Sequence, residues 1–234
     1  MEIFGPTIQG EGLYAGKRTH FIRLGGCGYR CSWCDSMHAV DPKLVKKNAR
    51  KMVPADIVSE LQALEHIGHS AWVTISGGDP TMHNLEDLIV HLRAAGLKIA
   101  IETQGQFYRK WMASCDLITV SPKPPSSGMA DKLDMDELKQ ILTFCNAYLK
   151  LVIFGKEDLL WATDLHCALG HITQTFLSVG TRQNLRPSGQ IHIVEEICDD
   201  LKQLYDAVLE LDDLHNVTVL PQLHVLAWGH EKEK

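Results

Sequence analysis

At 234 residues, with 45% hydrophobic and 22% charged side chains, the chain has ample material for a core and reads as one soluble globular domain spanning 1–234. A formal net charge of -6 argues against a phosphate-binding surface, which needs clustered Lys and Arg, so no nucleic-acid partner is expected. The chain opens without a basic segment leading into an apolar one, has no apolar run of membrane-spanning length, and scatters Cys115, Cys145, Cys167 and Cys198 without pairing logic. No membrane partner and a cytoplasmic, reducing location are expected.

In chain order, Met1 to Phe4 predicts a short strand, and Gly5 to Gly12 a glycine-punctuated loop whose backbone can approach a ligand closely. Phe21 to Leu24 predicts the next strand. Directly after it, Cys27, Cys31 and Cys34 stand at C-x3-C-x2-C spacing. A cubane iron-sulfur cluster takes four thiolates, so three leave one iron open for chemistry. Two other readings stand beside it. One is a Cys3His zinc site completed by His38, and the other a set of buried thiols.

Asp41 to Lys51 holds four Lys and one Arg with few large apolar residues and reads as a solvated insertion. Pro54 opens a helix with Ile57, Val58, Leu61, Leu64 and Ile67 on one face, ended by Gly68. Trp72 to Ile75 reads as a buried strand leading into Ser76-Gly77-Gly78-Asp79-Pro80. A helix capped by Asn84 buries Leu85, Leu88, Ile89 and Leu92 and stops at Gly96. The alternation continues with a strand at Lys98 to Glu102, a short helical segment near Phe107 to Cys115 and a strand at Leu117 to Val120. A helix follows, opened by a capping box of Asp134 and Glu137. Further strands are expected at Tyr148 to Phe154, Thr175 to Val179 and Val217 to Leu220, with helices over Glu157 to Leu169 and Glu195 to Leu211. Repeated βα order with right-handed crossovers predicts an α/β fold, a partial, incomplete TIM-like βα barrel with ligand loops at the C-terminal ends of its strands. The cysteine loop, Gly77-Gly78, Thr103-Gln104-Gly105 and Ser121-Pro122-Lys123 all fall there.

The cysteine motif after one strand, with a Gly-Gly-acid-Pro loop after the next, resembles the radical S-adenosylmethionine superfamily. Within it, the chain resembles the 7-carboxy-7-deazaguanine synthase family along its whole length. The likeness rests on Glu2 to Gly12, the cysteine loop through Asp35-Ser36, Thr74 to Gly78, Glu102 to Gly105, Ser121 to Ser127, and Leu220 to His224.

That resemblance implies a partial barrel of the radical SAM type in which Cys27, Cys31 and Cys34 hold a 4Fe-4S cluster. The open iron would take the amino and carboxylate groups of S-adenosyl-L-methionine. Trp33, Cys34, Asp35 and Gly78 would cradle this cofactor, and Glu102, Ser121, Pro122 and Lys123 would close over its ribose and adenosine side. Ile8, Gln9, Gly10, Arg23 and Ser76 would bind a pterin substrate, with Arg23 suited to its carboxylate through paired hydrogen bonds. Ser36 would hold a Mg2+ ion, a hard cation that prefers oxygen ligands.

The implied reaction converts 6-carboxy-5,6,7,8-tetrahydropterin to 7-carboxy-7-deazaguanine with loss of ammonia, through a 5'-deoxyadenosyl radical. A flavodoxin or ferredoxin would act as external reductant, and the assembly would be a homodimer. No catalytic side chain is assigned beyond the cluster and cofactor. Another small radical enzyme, such as a glycyl-radical activase, and a Cys3His zinc-binding interaction module are the alternatives. The chain departs from the family pattern in three places: Asp79 stands for Glu in the Gly-Gly-Glu-Pro loop, Ser178 stands where many members carry Gln, and the first strand begins directly at Met1-Glu2.

Overall fold

The computed structural model describes residues 2–64, 68, 71–170, 172–181, 190–229 and 231. Eight strands lie side by side in sequence order: β1 (Glu2–Ile8), β2 (Arg18–Leu24), β3 (Trp72–Gly77), β4 (Lys98–Thr103), β5 (Leu117–Val120), β6 (Ala147–Ile153), β7 (Thr175–Val179) and β8 (Thr218–Leu220). β1 runs antiparallel to β2, and every later pair is parallel. The helices are α1 (Met37–Val40), α2 (Pro42–Asn48), α3 (Pro54–Gln62), α4 (Glu86–Ala94), α5 (Met135–Phe144), α6 (Lys156–Ala168), α7 (Gln190–Leu209) and α8 (Leu223–Trp228). Among the described residues β8 does not pair with β1, so the sheet is the open barrel that the βα alternation predicts.

The two-residue period of a strand divides its side chains between the two faces and thereby places everything else. Ile22, Val73, Ile75, Ile99, Ile101 and Ile118 point outward and are fully buried beneath Leu61, Leu92, Leu138 and Ile141 of the helices. Each such side chain contributes roughly 2 kcal/mol of burial free energy. The alternate residues point inward and form three levels. At the bottom is a small apolar plug of Tyr14, Ala100, Leu117, Tyr148 and Phe176. Above it hydroxyls pair: Tyr14 Oη with Thr74 Oγ1 at 2.6 Å, Thr19 Oγ1 with Thr74 Oγ1 at 2.8 Å, and Thr119 Oγ1 with Tyr148 Oη at 2.6 Å. The next inward residues toward the strand C-terminal ends are Arg23, Ser76, Glu102, Ser121 and Lys150. Arg23 pairs in register with Ser76, and Glu102 with Thr119.

Several local expectations change. β1 continues through Gly5-Pro6 to Ile8, with a register shift between Phe4 and Thr7. A proline that cannot donate to a ladder is tolerated at such a bulge on an edge strand. The basic stretch after the cysteine loop forms α2, because Asp41 accepts from the amides of Lys43 and Leu44 and Pro42 takes the first turn. It buries nothing, in keeping with its solvated reading. Asp134 caps α5, but Glu137 accepts from the Tyr108 amide instead of closing a capping box. The segment after β8 forms α8. The predicted helical face of α3 holds through Leu61, while Ile67 lies outside the described residues.

Candidate functional site

Cys27, Cys31 and Cys34 sit half-buried on the loop between β2 and α1. Cys27 Sγ lies 3.3 Å from Gln104 Oε1, to which it donates, and accepts from the Tyr29 amide at 3.4 Å. Burial pushes all three thiols above their ordinary range, Cys31 to about 11. An iron-sulfur cluster deprotonates such ligands on binding. His38 Nε2 lies 3.3 Å from Glu2 Oε2, and no three His, Cys, Asp or Glu side chains among the described residues gather as a single ion requires. His38 is thus engaged with Glu2. Three soft donors spread along one loop suit a cubane with one open iron.

The loop is stitched to the end of β3. Gly78 N donates to Leu24 O at 2.9 Å, Asp79 N to Gly26 O at 2.8 Å, and Gly26 N to Ala39 O at 2.7 Å. A Cβ on Gly78 would stand 1.9 Å from Gly26 O, and one on Gly77, where φ is +123°, would stand 2.1 Å from Leu24 O. These glycines are needed for a nearer reason than admitting a cofactor: they let the two backbones touch. Asp79, the departure from the family pattern, is fully buried. Its Oδ1 accepts from Thr81 N, Thr81 Oγ1 and Thr103 Oγ1, while Oδ2 takes no hydrogen bond from the protein among the described residues. Burial pushes its carboxyl upward. Such an orphaned acceptor matches the donor chemistry of a bound ammonium group.

Beside the loop opens a cleft with two connected lobes of about 220 and 270 Å3. Ile8, Gln9, Gly10, Ser76, Gly78, Glu102 and Ser121 line the first, Trp33 the second, and Arg23, Asp35, Ser36 and Lys123 both. Of the remaining assigned residues, the three cysteines and Pro122 line neither lobe. Pro122 is buried. Arg23 points inward, pairing with Glu2 at 3.1 Å and donating to Ser36 Oγ at 2.8 Å. Ser36 Oγ in turn donates to Asp35 Oδ1 at 2.9 Å.

The charge network at the centre of the cleft includes residues that sequence reasoning did not assign. Lys150 Nζ pairs with Glu11 Oε2 at 2.6 Å, with the side chains only 12% and 13% exposed. Gln222 Nε2 donates to Glu11 Oε1 at 2.7 Å, and Gln9 Nε2 to Glu102 Oε1 at 2.8 Å. His224 lines both lobes and lies where a Cβ on Gly10 would collide with its ring. One signal was available: Lys150 is the single charge within an otherwise apolar buried strand, which is where a charge must have a partner.

Burial pushes the Glu11 carboxyl up, but Lys150 and His224 and the hydrogen bonds from Lys150 and Gln222 outweigh it and hold the group at about 2. Burial lowers Lys150, yet Glu11 and Glu102 lift it to about 12. Burial, followed by Glu11, raises Glu102 against the pull of Lys150 and the Gln9 hydrogen bond.

The depressed Glu11 contributes stability above its ordinary 4.5, lost as pH falls through about 2. Lys150 contributes below its ordinary 10.5, lost as pH rises through about 12. Lys150→Met strands a buried carboxylate and is expected to cost about 3–5 kcal/mol near neutral pH. In the variant the folded Glu11 value rises instead, so stability should fall more steeply than the parent's as pH climbs from about 5 to about 8. Urea unfolding at both pH values measures it, and equal stability of the variant at the two would contradict the assignment.

The radical SAM superfamily pattern matches residues 21–121, which hold the cysteine loop and the strands from β2 to β5. The chain is 39% identical over 236 residues to a 7-carboxy-7-deazaguanine synthase from Bacillus cereus, covering 99% of this chain and 97% of that one. It is also 39% identical over 242 residues to a 7-carboxy-7-deazaguanine synthase from Bacillus subtilis, covering 99% and 96%. The crystal structure of QueE from Escherichia coli shares the fold, with TM-score 0.70 and 21% identity over 95% of this chain and 92% of that one. With the cysteine loop and the strand-end cleft already in place, this full-length likeness shows that the chain belongs to the 7-carboxy-7-deazaguanine synthase family of the radical SAM superfamily.

Proposed function

We propose that the chain is a radical SAM lyase that converts 6-carboxy-5,6,7,8-tetrahydropterin to 7-carboxy-7-deazaguanine with release of ammonia, a step toward queuosine-type deazapurines. The observation that carries this reading is the convergence of the cysteine loop and the inward strand-end residues on one two-lobed cleft. The full-length likeness to two 7-carboxy-7-deazaguanine synthases favours this reading over a glycyl-radical activase.

Cys27, Cys31 and Cys34 hold the cluster. Trp33, Asp35, Gly78, Glu102, Ser121 and Lys123 line the S-adenosylmethionine side, with Pro122 as backing behind Ser121 and Lys123. Asp79, buried behind Gly78 with Oδ2 unpartnered among the described residues, would offer that oxygen to the amino group of the cofactor. When bound, the cluster and S-adenosylmethionine supply the one-electron chemistry that removes a hydrogen atom from the substrate. The protein residues orient and shield. Ile8, Gln9, Gly10 and Ser76 meet the edge of the pterin, whose alternating donors and acceptors match backbone groups and a carboxamide. Arg23 takes the substrate carboxylate through its guanidinium fork. Ser36 and the neighbouring Asp35 carboxylate offer oxygen donors to Mg2+ beside that carboxylate. The ion pair of Glu11 and Lys150 keeps fixed charges in place, so the walls need little reorganisation when the substrate enters.

We take the chain to act as one domain, supported by its single sheet, and to receive electrons from a flavodoxin- or ferredoxin-type protein. Its seven cysteines, all free, fit the reducing cytoplasm. No described helix is long and apolar enough to cross a membrane. A homodimer is supported by the outer edge of β1, which has no strand partner among the described residues.

Anaerobically reconstituted protein is expected to hold about four iron and four sulfide per chain. Alanine at Cys27, Cys31 or Cys34 should abolish pterin turnover, whereas His38→Ala should keep the cluster. One zinc per chain without acid-labile sulfide would sink the reading. Ser36→Ala should retain cluster and cofactor binding yet lose the rate response to added Mg2+, and Ser36→Thr should keep it. An unaltered Mg2+ titration in the alanine variant places the ion elsewhere. Light scattering is expected to give twice the chain mass at micromolar concentration, and the monomer mass throughout would contradict the dimer.

A further inference from the structure

Asp158, the third residue of α6, is only 2% exposed and lies outside the cleft lining. Its Oδ1 accepts from Ser126 N at 2.9 Å. Its Oδ2 accepts from Ser126 Oγ at 2.7 Å and from Phe154 N at 3.0 Å. Ser126 Oγ in turn accepts from the indole Nε1 of Trp33 at 3.0 Å. A hydroxyl has one proton, a carboxylate only accepts and an indole N–H only donates. Asp158 therefore fixes the direction of the whole chain: with the hydroxyl proton committed to the carboxylate, a lone pair of Ser126 faces Trp33.

Two further contacts from the cysteine loop end on the same short turn. Ser32 N donates to Ser127 O at 3.0 Å and Ser32 Oγ to Ser126 O at 2.8 Å. The Trp33 ring packs 4.9 Å from Phe154, whose amide is bound by the same carboxylate, and Lys123 Nζ stands 5.7 Å from the Trp33 ring centre. Asp158 thus holds both the hydroxyl that anchors the indole and the strand end that carries its stacking partner.

We infer that Asp158 is a positioning residue for the cofactor wall: through Ser126 it sets the Trp33 ring and the Cys31–Cys34 segment in their binding geometry before S-adenosylmethionine arrives. The inference rests on the reading that Cys27, Cys31 and Cys34 carry the cluster. An aspartate near a helix N-terminus also favours the helix dipole, so the test must separate positioning from simple helix stabilisation.

The experiment uses the anaerobically reconstituted parent, Ser126→Ala, Asp158→Asn and the double variant. Iron and sulfide content, the Kd for S-adenosylmethionine by equilibrium dialysis, and the thermal midpoint are read for each. Ser126→Ala keeps the backbone bond to Asp158 and should raise Kd roughly fivefold with the cluster still loaded. Asp158→Asn, in which a carboxamide can keep one acceptor but not both, should raise Kd at least as much. The double variant should be no worse than the weaker-binding single variant, because both cut one chain of bonds. A parent that loads no cluster or binds no S-adenosylmethionine overturns the functional reading itself. A parent that binds normally while Ser126→Ala leaves Kd unchanged overturns only this inference. So does an Asp158→Asn variant that lowers the thermal midpoint alone, or a pair of variants whose effects on Kd add. If Asp158→Asn does not fold, the Kd of Ser126→Ala decides.

Discussion

The buried pair of Glu11 and Lys150 does what strand pairing does not. Among the described residues the sheet stops at β8, and its two edges are joined by side chains and loops above the strands. There Glu11, from the loop after β1, holds Lys150 of β6 and Gln222 beyond β8, while Leu223 N donates to Gly10 O at 2.9 Å. Among the described residues an ion pair, a carboxamide and a backbone bond help to close the mouth of the barrel. Two charges in a low-dielectric setting attract strongly but lose their hydration, so the pair is worth having only because further hydrogen bonds satisfy Glu11. The same bonds that close the mouth also form a wall of the cleft, and closing the fold and building the site are here one event.

Much of the scaffold was legible because parallel strands covered on both faces have a strong signature. β5 and β7 fall where the apolar runs of Leu117–Val120 and Thr175–Val179 place them. The departures have local causes. β1 runs through Pro6 because an edge strand with a bulge does not need that amide, whereas proline in a sequence ordinarily signals the end of a strand. α2 was hidden by its composition: a helix that buries nothing has no apolar period to read, and only Asp41-Pro42 announces it.

The site was legible in part for the same reason. Arg23, Ser76, Glu102 and Ser121 each stand at an inward position at or next to a strand end, and period-two alternation carries them all to the cleft. Glu11, Gln222 and His224 stand in stretches that carry the family likeness, but no local period says what they touch. They become neighbours of Lys150 only when loops from opposite edges meet, a long-range event without a sequence period. Gly78 carries a related lesson. Its place in the motif was visible, but the 1.9 Å clash that demands glycine lies with Gly26, fifty-two positions earlier in the chain.

Closure of the mouth by residues from both ends of the sequence has a consequence for synthesis on the ribosome. The loop bearing Gly10 and Glu11 emerges first, and its partners Gln222 and Leu223 emerge more than two hundred residues later. The strands from β2 to β7 can pair as they leave the exit tunnel, since each neighbour in the sheet is also the next strand in the chain. The rim can therefore be sealed only after the segment bearing Gln222 and Leu223 has left the tunnel.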